Sequence, residues 1–445
     1  MIGERGRRWL RIALVVAGVL VIAGGAALLA LRVKWRGDLR EAVASFREEV
    51  GSLDPATLPP PKVAASENAA SWIEAAGAAL VLDDEESQAL RIAREPLASW
   101  TPEQVEAASA LVAAHPEVLP LLARAVPWER SSFGARYVPD PVPIDGVSFG
   151  ATRRVPDPMV DLLTQLRLAH FARLTVGLAL RDGDCALAAE RIRSAARQVR
   201  ALLAERMILF GLIGTTAHRT LVDDIADLAA SCRELAPLER ALDALERVER
   251  EAFPADEVLR GEGVSSLAQM GGLLEREEEW PGFLWREYRL AVQADMIDHW
   301  RELVVAARGG APALREWSDR QREWIERPRG MVETITAMLT PNLVAAAEKM
   351  IQREAAGRAA RAALRLRLAG LRGGSYPGAE ALPEALRAPT GALGEALVVR
   401  ELEGGGLEVG YPEALAAWRE RGADTMPAPR LVLRLPPLGS GSAQR

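Results

Sequence analysis

From Ile12 to Leu31 the chain runs for twenty residues without a charge, IALVVAGVLVIAGGAALLAL. As a helix rising about 1.5 Å per residue, that run covers about 30 Å, the thickness of a bilayer's hydrocarbon core. It predicts an N-terminal transmembrane anchor bounded by Ile12 and Leu31. A cleavable signal peptide is the competing reading, since Arg5, Arg7, Arg8 and Arg11 form a basic leader. The apolar run is longer than the roughly 7–15 residues of such a peptide, and Ala42-Val43-Ala44 lies beyond a charged stretch, so an uncleaved anchor is favoured. Basic residues also follow the span closely (Arg32, Lys34, Arg36 and Arg40), leaving the positive-inside count nearly tied. A short tail held inside, with the large domain translocated, is the simple signal-anchor arrangement, and it predicts an extracytoplasmic body.

The 445 residues, 49% of them hydrophobic, contain ample material for a buried core. A net charge of −6, with no basic cluster away from the membrane flanks, argues against a nucleic-acid partner. Membrane lipid and an envelope protein are the expected partners. The two cysteines, Cys185 and Cys232, lack zinc-site spacing. On antiparallel helices turning near Glu205 they sit 20 and 27 residues from the turn, a mismatch of about 10 Å of helix rise, so two buried free thiols are expected.

Along the chain the periodicity predicts a mainly α fold. Residues 1–36 hold the tail and anchor, and 37–63 a juxtamembrane helix with a Pro-rich spacer. In that helix Leu39, Val43, Phe46 and Val50 form one apolar stripe, and the helix is expected to continue the membrane helix. Residues 64–330 form an irregular helical body. Within it, Thr101 is an N-cap with Pro102 in the first helical position, and Pro116 interrupts the helix. Residues 127–158, rich in proline and glycine, read as an irregular strap or ligand loop, whose Trp128, Phe133, Tyr137 and Phe149 are packing anchors in the first reading and a binding surface in the second. Two apolar helices joined by Arg181-Asp182-Gly183-Asp184 resemble a single tetratricopeptide-like hairpin, with Gly183 as the stop and Asp184 as the next cap. Residues 331–436 hold a long helix started by Thr340-Pro341, then a small antiparallel β segment from Ala396–Leu402, Leu407–Tyr411 and Arg430–Leu435. Residues 437–445 form a flexible tail.

Chemistry is sparse. The four histidines form no His-x-x-x-His pair. Asp295 and His299 share a helix face, where a surface hydrogen bond is the favoured reading, and Trp285 and Trp300 read first as packing elements between helices; together the four mark a second candidate binding surface as the alternative. Asp223, Asp224 and Asp227 are expected to pair with arginines, or to act as catalytic carboxylates if another acid faces them. No catalytic residue, metal site or cofactor is predicted.

Near the C-terminus, Ala362-Ala363-Leu364-Arg365-Leu366-Arg367-Leu368, Gly374-Ser375-Tyr376-Pro377, Leu382-Pro383 and a glycine-turned hairpin occur in succession. This order resembles the segment after the helix in type II secretion pseudopilins, and a similar tail in membrane-anchored helical proteins of bacteria. The resemblance covers about residues 345–435 and implies only a local fold; the expected location of the anchor is a bacterial inner membrane. The long helix lies far from the apolar span, Met1-Ile2-Gly3-Glu4 presents no processing site directly before it, and no acidic calcium loop is evident. The functional expectation is a non-enzymatic binding or scaffolding module of the envelope. The alternatives are a pseudopilin-like secretion component and a polysaccharide-binding or hydrolytic protein.

Overall fold

The computed structural model describes residues 4–54, 57–58, 63–64, 67–133, 137–144, 147–154, 162–275, 283–326, 331–389, 393–420 and 430–438. It is 76% helix and 4% strand, a mainly α fold as the periodicity predicts. The first helix, α1 (Glu4–Glu49), is unbroken over 46 residues because no proline interrupts it and its charged second half is rich in helix formers. It is long and apolar enough to cross a membrane. Apolar side chains from Leu14 to Val33 are exposed along its outer part, whereas Leu39, Val43, Phe46 and Val50 are buried in the body. At the end of the helix Val50 and Gly51 both donate to the Phe46 carbonyl (2.8 and 3.0 Å), with Gly51 at a φ of 120° that suits glycine. Beyond it Leu53 and Leu58 are buried and Arg206 donates to the Thr57 carbonyl at 3.1 Å, while the prolines of the expected spacer, Pro55 and Pro59 to Pro61, lie outside the described residues. The body therefore begins within about 12 Å of the end of the apolar run.

Helices α2 (Ala69–Ala79), α3 (Asp84–Ala89), α4 (Pro102–Ala114) and α5 (Val118–Ala125) open the body. Thr101 caps α4 as predicted, accepting from Gln104 N–H (3.3 Å) while the Gln104 side chain accepts from Thr101 N–H (2.9 Å). Thr101→Ala is expected to cost about 1 kcal/mol in denaturant unfolding, with the Cm lowered and the m value unchanged.

Within the expected loop, residues 127–133 do form a strap. Arg197 donates to the carbonyls of Trp128 and Arg130 (2.8 and 3.0 Å), Arg200 to that of Glu129 (2.6 Å), and Asn68 brackets Ser132. Beyond the strap lies an antiparallel hairpin, β1 (Tyr137–Ile144) and β2 (Val147–Arg154), where no regular structure is expected from the sequence. Pro139, Pro141 and Pro143 disguise it. Spaced two apart, they place every missing N–H on one edge of β1, which leaves the ladder to β2 intact.

Then come α6 (Leu162–Arg181), α7 (Cys185–Leu203), α8 (Ile208–Ser231), α9 (Leu235–Glu251) and α10 (Ala255–Glu275), with the hairpin β1–β2 lying against α10. Gly183 (φ 76°) stops α6, and Asp184 caps α7 by accepting from Leu187 N–H at 2.9 Å. The expectation of free thiols is wrong: Cys185 and Cys232 form a disulfide, Cα–Cα 6.0 Å. Gly214 on α8 is pressed against Leu203 at the end of α7. Eighteen residues back from Leu203 is Cys185, and eighteen on from Gly214 is Cys232, so this register aligns the two. The turn does include Glu205, but α8 is shifted along α7 by this contact, so counting residues from the turn misjudges the register.

Finally α11 (Phe283–Arg308), α12 (Gly310–Glu326) and α13 (Met331–Gly373) lead through the short α14 (Glu384–Arg387) to β3 (Val398–Glu401), β4 (Leu407–Gly410), α15 (Pro412–Glu420) and β5 (Val432–Leu435). The three strands form an antiparallel sheet in the order β3-β4-β5, matching the three predicted runs. Pro341 does not start a helix but lies inside α13, where ten upstream residues already extend the helix and override the local cap signal. Two apolar cores result. One joins α2–α9, the later turns of α13 and the sheet; the other joins the inner part of α1 to α10, α11, α12 and the earlier turns of α13. Helix α13 is common to both.

Candidate functional site

The candidate surface based on tryptophan and histidine is largely core. Trp300 is 4% exposed, with Gly263 of α10 against its ring, and His299 is buried with its ring 5.2 Å from that of Trp317. Asp295 is exposed on the same helix. Phe133 is buried with its ring 5.5 Å from Phe210, and Trp128 is half-buried against the first core, so both pack instead of presenting a ligand surface. Burial of these rings offsets the cost of holding the strap, which is why they occur in a proline-rich segment. Tyr137 and Phe149 lie on β1 and β2, and Trp285 on the first turn of α11, with side chains outside the described residues. No group of three metal-ligating side chains occurs among the described residues.

The residues that do converge come from separate stretches. A cavity of about 490 Å³ lies between α6, α8, residues 93–96 and the β5 side of the C-terminal segment. From α8 it takes Thr216, Arg219, Thr220, Asp223 and Asp227, a single helical face. From α6 it takes Leu166, His170 and Arg173 at the matching spacing, and Arg430 and Val432 close the other side.

Arg173, 2% exposed, organises the floor. It donates to Asp224 at 2.7 Å and to Asp227, while Arg430 pairs with Asp223 at 3.0 Å. Burial works to lower the Arg173 guanidinium, but Asp224 and Asp227 outweigh it and raise it above its ordinary value. Asp224, behind the floor, is pushed up by its own burial to about 7 against the pull of Arg173. The three aspartates are thus paired with arginines, one of the two readings the sequence leaves open. Burial, with the charge of Arg94 added, lowers His170 to about 4, so its ring is neutral at pH 7 and is not an acid there. Arg94 stands exposed at the edge and has no ion-pair partner among the described residues. Such a site can donate hydrogen bonds to a polar or anionic ligand. Asp223 and Asp227 on its floor are held by guanidinium groups, while Glu95 at the exposed edge accepts from the Gln104 side chain at 2.9 Å.

A larger open groove of about 610 Å³ between α9 and α13 carries more charge, part of which joins the two helices through Arg365 and Glu246. Arg372–Glu239 and Arg365–Glu246 are rungs of one ladder, and His218 meets Glu249 at 2.6 Å. Burial opposes the Glu249 carboxylate, yet His218, Arg353 and Arg361 hold it below the usual range. This is an interhelical seam.

One buried acid outside both cavities has a measurable signature. Glu205, 2% exposed, accepts from Phe133 N–H at 2.9 Å, and burial raises it to about 7 despite that bond. A folded-state value above the ordinary 4.5 means stability is full below about pH 4.5 and declines as pH rises through about 7, by up to about 3 kcal/mol. Glu205→Gln, which keeps the acceptor, is expected to raise the Tm at pH 8 and leave it nearly unchanged at pH 4.5.

Compared with protein families, curated proteins and solved structures, the chain matches none. The pseudopilin and tetratricopeptide resemblances therefore gain no support, and two local pieces stand as structure alone. These are the helix hairpin at Gly183 and the C-terminal sheet, where Tyr376 donates to the Pro436 carbonyl (2.8 Å) and accepts from Arg367 (2.6 Å).

Proposed function

We propose that this is a single-pass, membrane-anchored extracytoplasmic protein whose helical body is a binding or scaffolding module. The observation that carries the reading is the Cys185–Cys232 disulfide in a body built directly onto an exposed apolar helix. Disulfides persist in oxidising compartments and are reduced in the cytosol, which supports the translocated orientation that the flanking arginines leave undecided. The ion-paired cavity floor favours binding over proton transfer, with Arg94, His170, Thr216 and Thr220 available to a ligand.

A C-terminal fusion tests the orientation. An alkaline phosphatase fusion is expected to be active and a green fluorescent protein fusion dark, and the reverse pair of results overturns the reading. A photocrosslinker at Arg94, at the cavity edge, is expected to give a discrete adduct in intact cells, whereas one at Arg322 on α12 gives none. No adduct at position 94 removes the binding part of the proposal.

A further inference from the structure

Helices α1 and α11 run side by side in the same direction. Arg301 pairs with Glu49 at 2.7 Å, Arg308 donates to the Glu49 carbonyl at 2.8 Å, and earlier on both helices the charge of Glu41 reaches Asp298. Counted back from these three contacts, Leu31, the end of the apolar run, is level with residues 283 to 290, the first two turns of α11. The face of α1 that leads outward from the body agrees with this register. Leu28, Arg32, Trp35 and Arg36 are partly covered, at helical spacing above the buried Leu39, while neighbours such as Leu29 and Val33 stay exposed. Helix α10 supports the same placement from its other side: Gly263 abuts Trp300, and twelve residues along each helix from that contact lie Glu275 and Tyr288. The last turn of α10 and the first turns of α11 thus lie level with the point where α1 leaves its apolar run.

The sequence there is unusual for a charged helix. The first two turns of α11 carry Phe283, Leu284, Trp285 and Tyr288, an aromatic and apolar set of the kind found in the belt where chain meets headgroup. We propose that these two turns of α11 seat in the interfacial layer of the leaflet from which α1 emerges, giving the body a second contact with lipid. A single helix fixes only attachment. Two elements at one depth also fix the tilt and rotation of the body, and so orient the arginine-lined cavity relative to the membrane surface. The inference rests on the reading of α1 as a membrane span.

Because both native cysteines are bonded to each other, single added cysteines can be labelled in the oxidised full-length protein. Leu20→Cys in the apolar run, Leu284→Cys on α11 and Ser109→Cys on the exposed side of α4 are each labelled with nitrobenzoxadiazole and reconstituted into phosphatidylcholine vesicles with or without brominated acyl chains. The proposal expects bromination to cause a loss of emission at positions 20 and 284 and none at 109. Loss at position 20 with none at 284 overturns the second contact and leaves the anchor standing. No loss at position 20 overturns the anchor itself, and the proposal with it.

Discussion

Replacing Cys232 by Ser is expected to cost the oxidised protein about 4 kcal/mol, the loop-closure entropy of a crosslink spanning 47 residues. The bond joins the start of α7 to the residue after α8, and these helices with α6 and α9 make most of the first core. Without the bond the denatured chain regains the freedom of that whole hairpin. Unfolding in denaturant, with and without dithiothreitol, isolates the effect: the reductant lowers the wild-type Cm to near that of Cys232→Ser and leaves the variant unmoved. An equal response of both proteins to reductant would show that the crosslink contributes nothing.

The second large effect is expected at Arg173. Truncation to Met leaves Asp224, 1% exposed, without its cation and strips Asp227 of the same partner, a loss of about 3–5 kcal/mol for breaking a buried pair. The pH dependence identifies the cause. Burial already pushes Asp224 up to about 7, and removal of the guanidinium pushes it further. A raised folded-state value gives stability that is present at low pH and lost as pH rises through that value, so the penalty of Arg173→Met grows from pH 5 to pH 8. Adding Asp224→Leu removes the uncompensated charge and is expected to recover part of the loss at pH 8. A penalty of the same size at both pH values would assign the damage to packing.

What the sequence reveals depends on how far apart the deciding residues lie. The apolar run, the Thr101 cap, the Gly183 stop and the Gly404–Gly406 hairpin are each written in a few neighbouring residues, and each forms as predicted. The β1–β2 hairpin is local too, but its alternating prolines read as a breaker when their period of two is the signal. The disulfide depends on the register between α7 and α8, which is set by Gly214 against Leu203 and has no local mark. The cavity is the least legible feature. Asp223, Asp224 and Asp227 stand out on α8, but Arg173 lies about fifty residues before them and Arg430 about two hundred after, and nothing in one sequence names a partner at that range. Trp300 and His299 mislead for the opposite reason: large and polarisable side chains at helical spacing serve a core as readily as a groove.

The side of the membrane on which the body resides is tested most directly by the state of its thiols in living cells. Cells quenched in acid, then denatured and treated with a maleimide polymer before and after reduction, report Cys185 and Cys232 as they stood at the moment of quenching. The account predicts no adduct without reductant and two adducts with it. Two adducts without reductant would place the body in a reducing compartment and contradict the extracytoplasmic assignment.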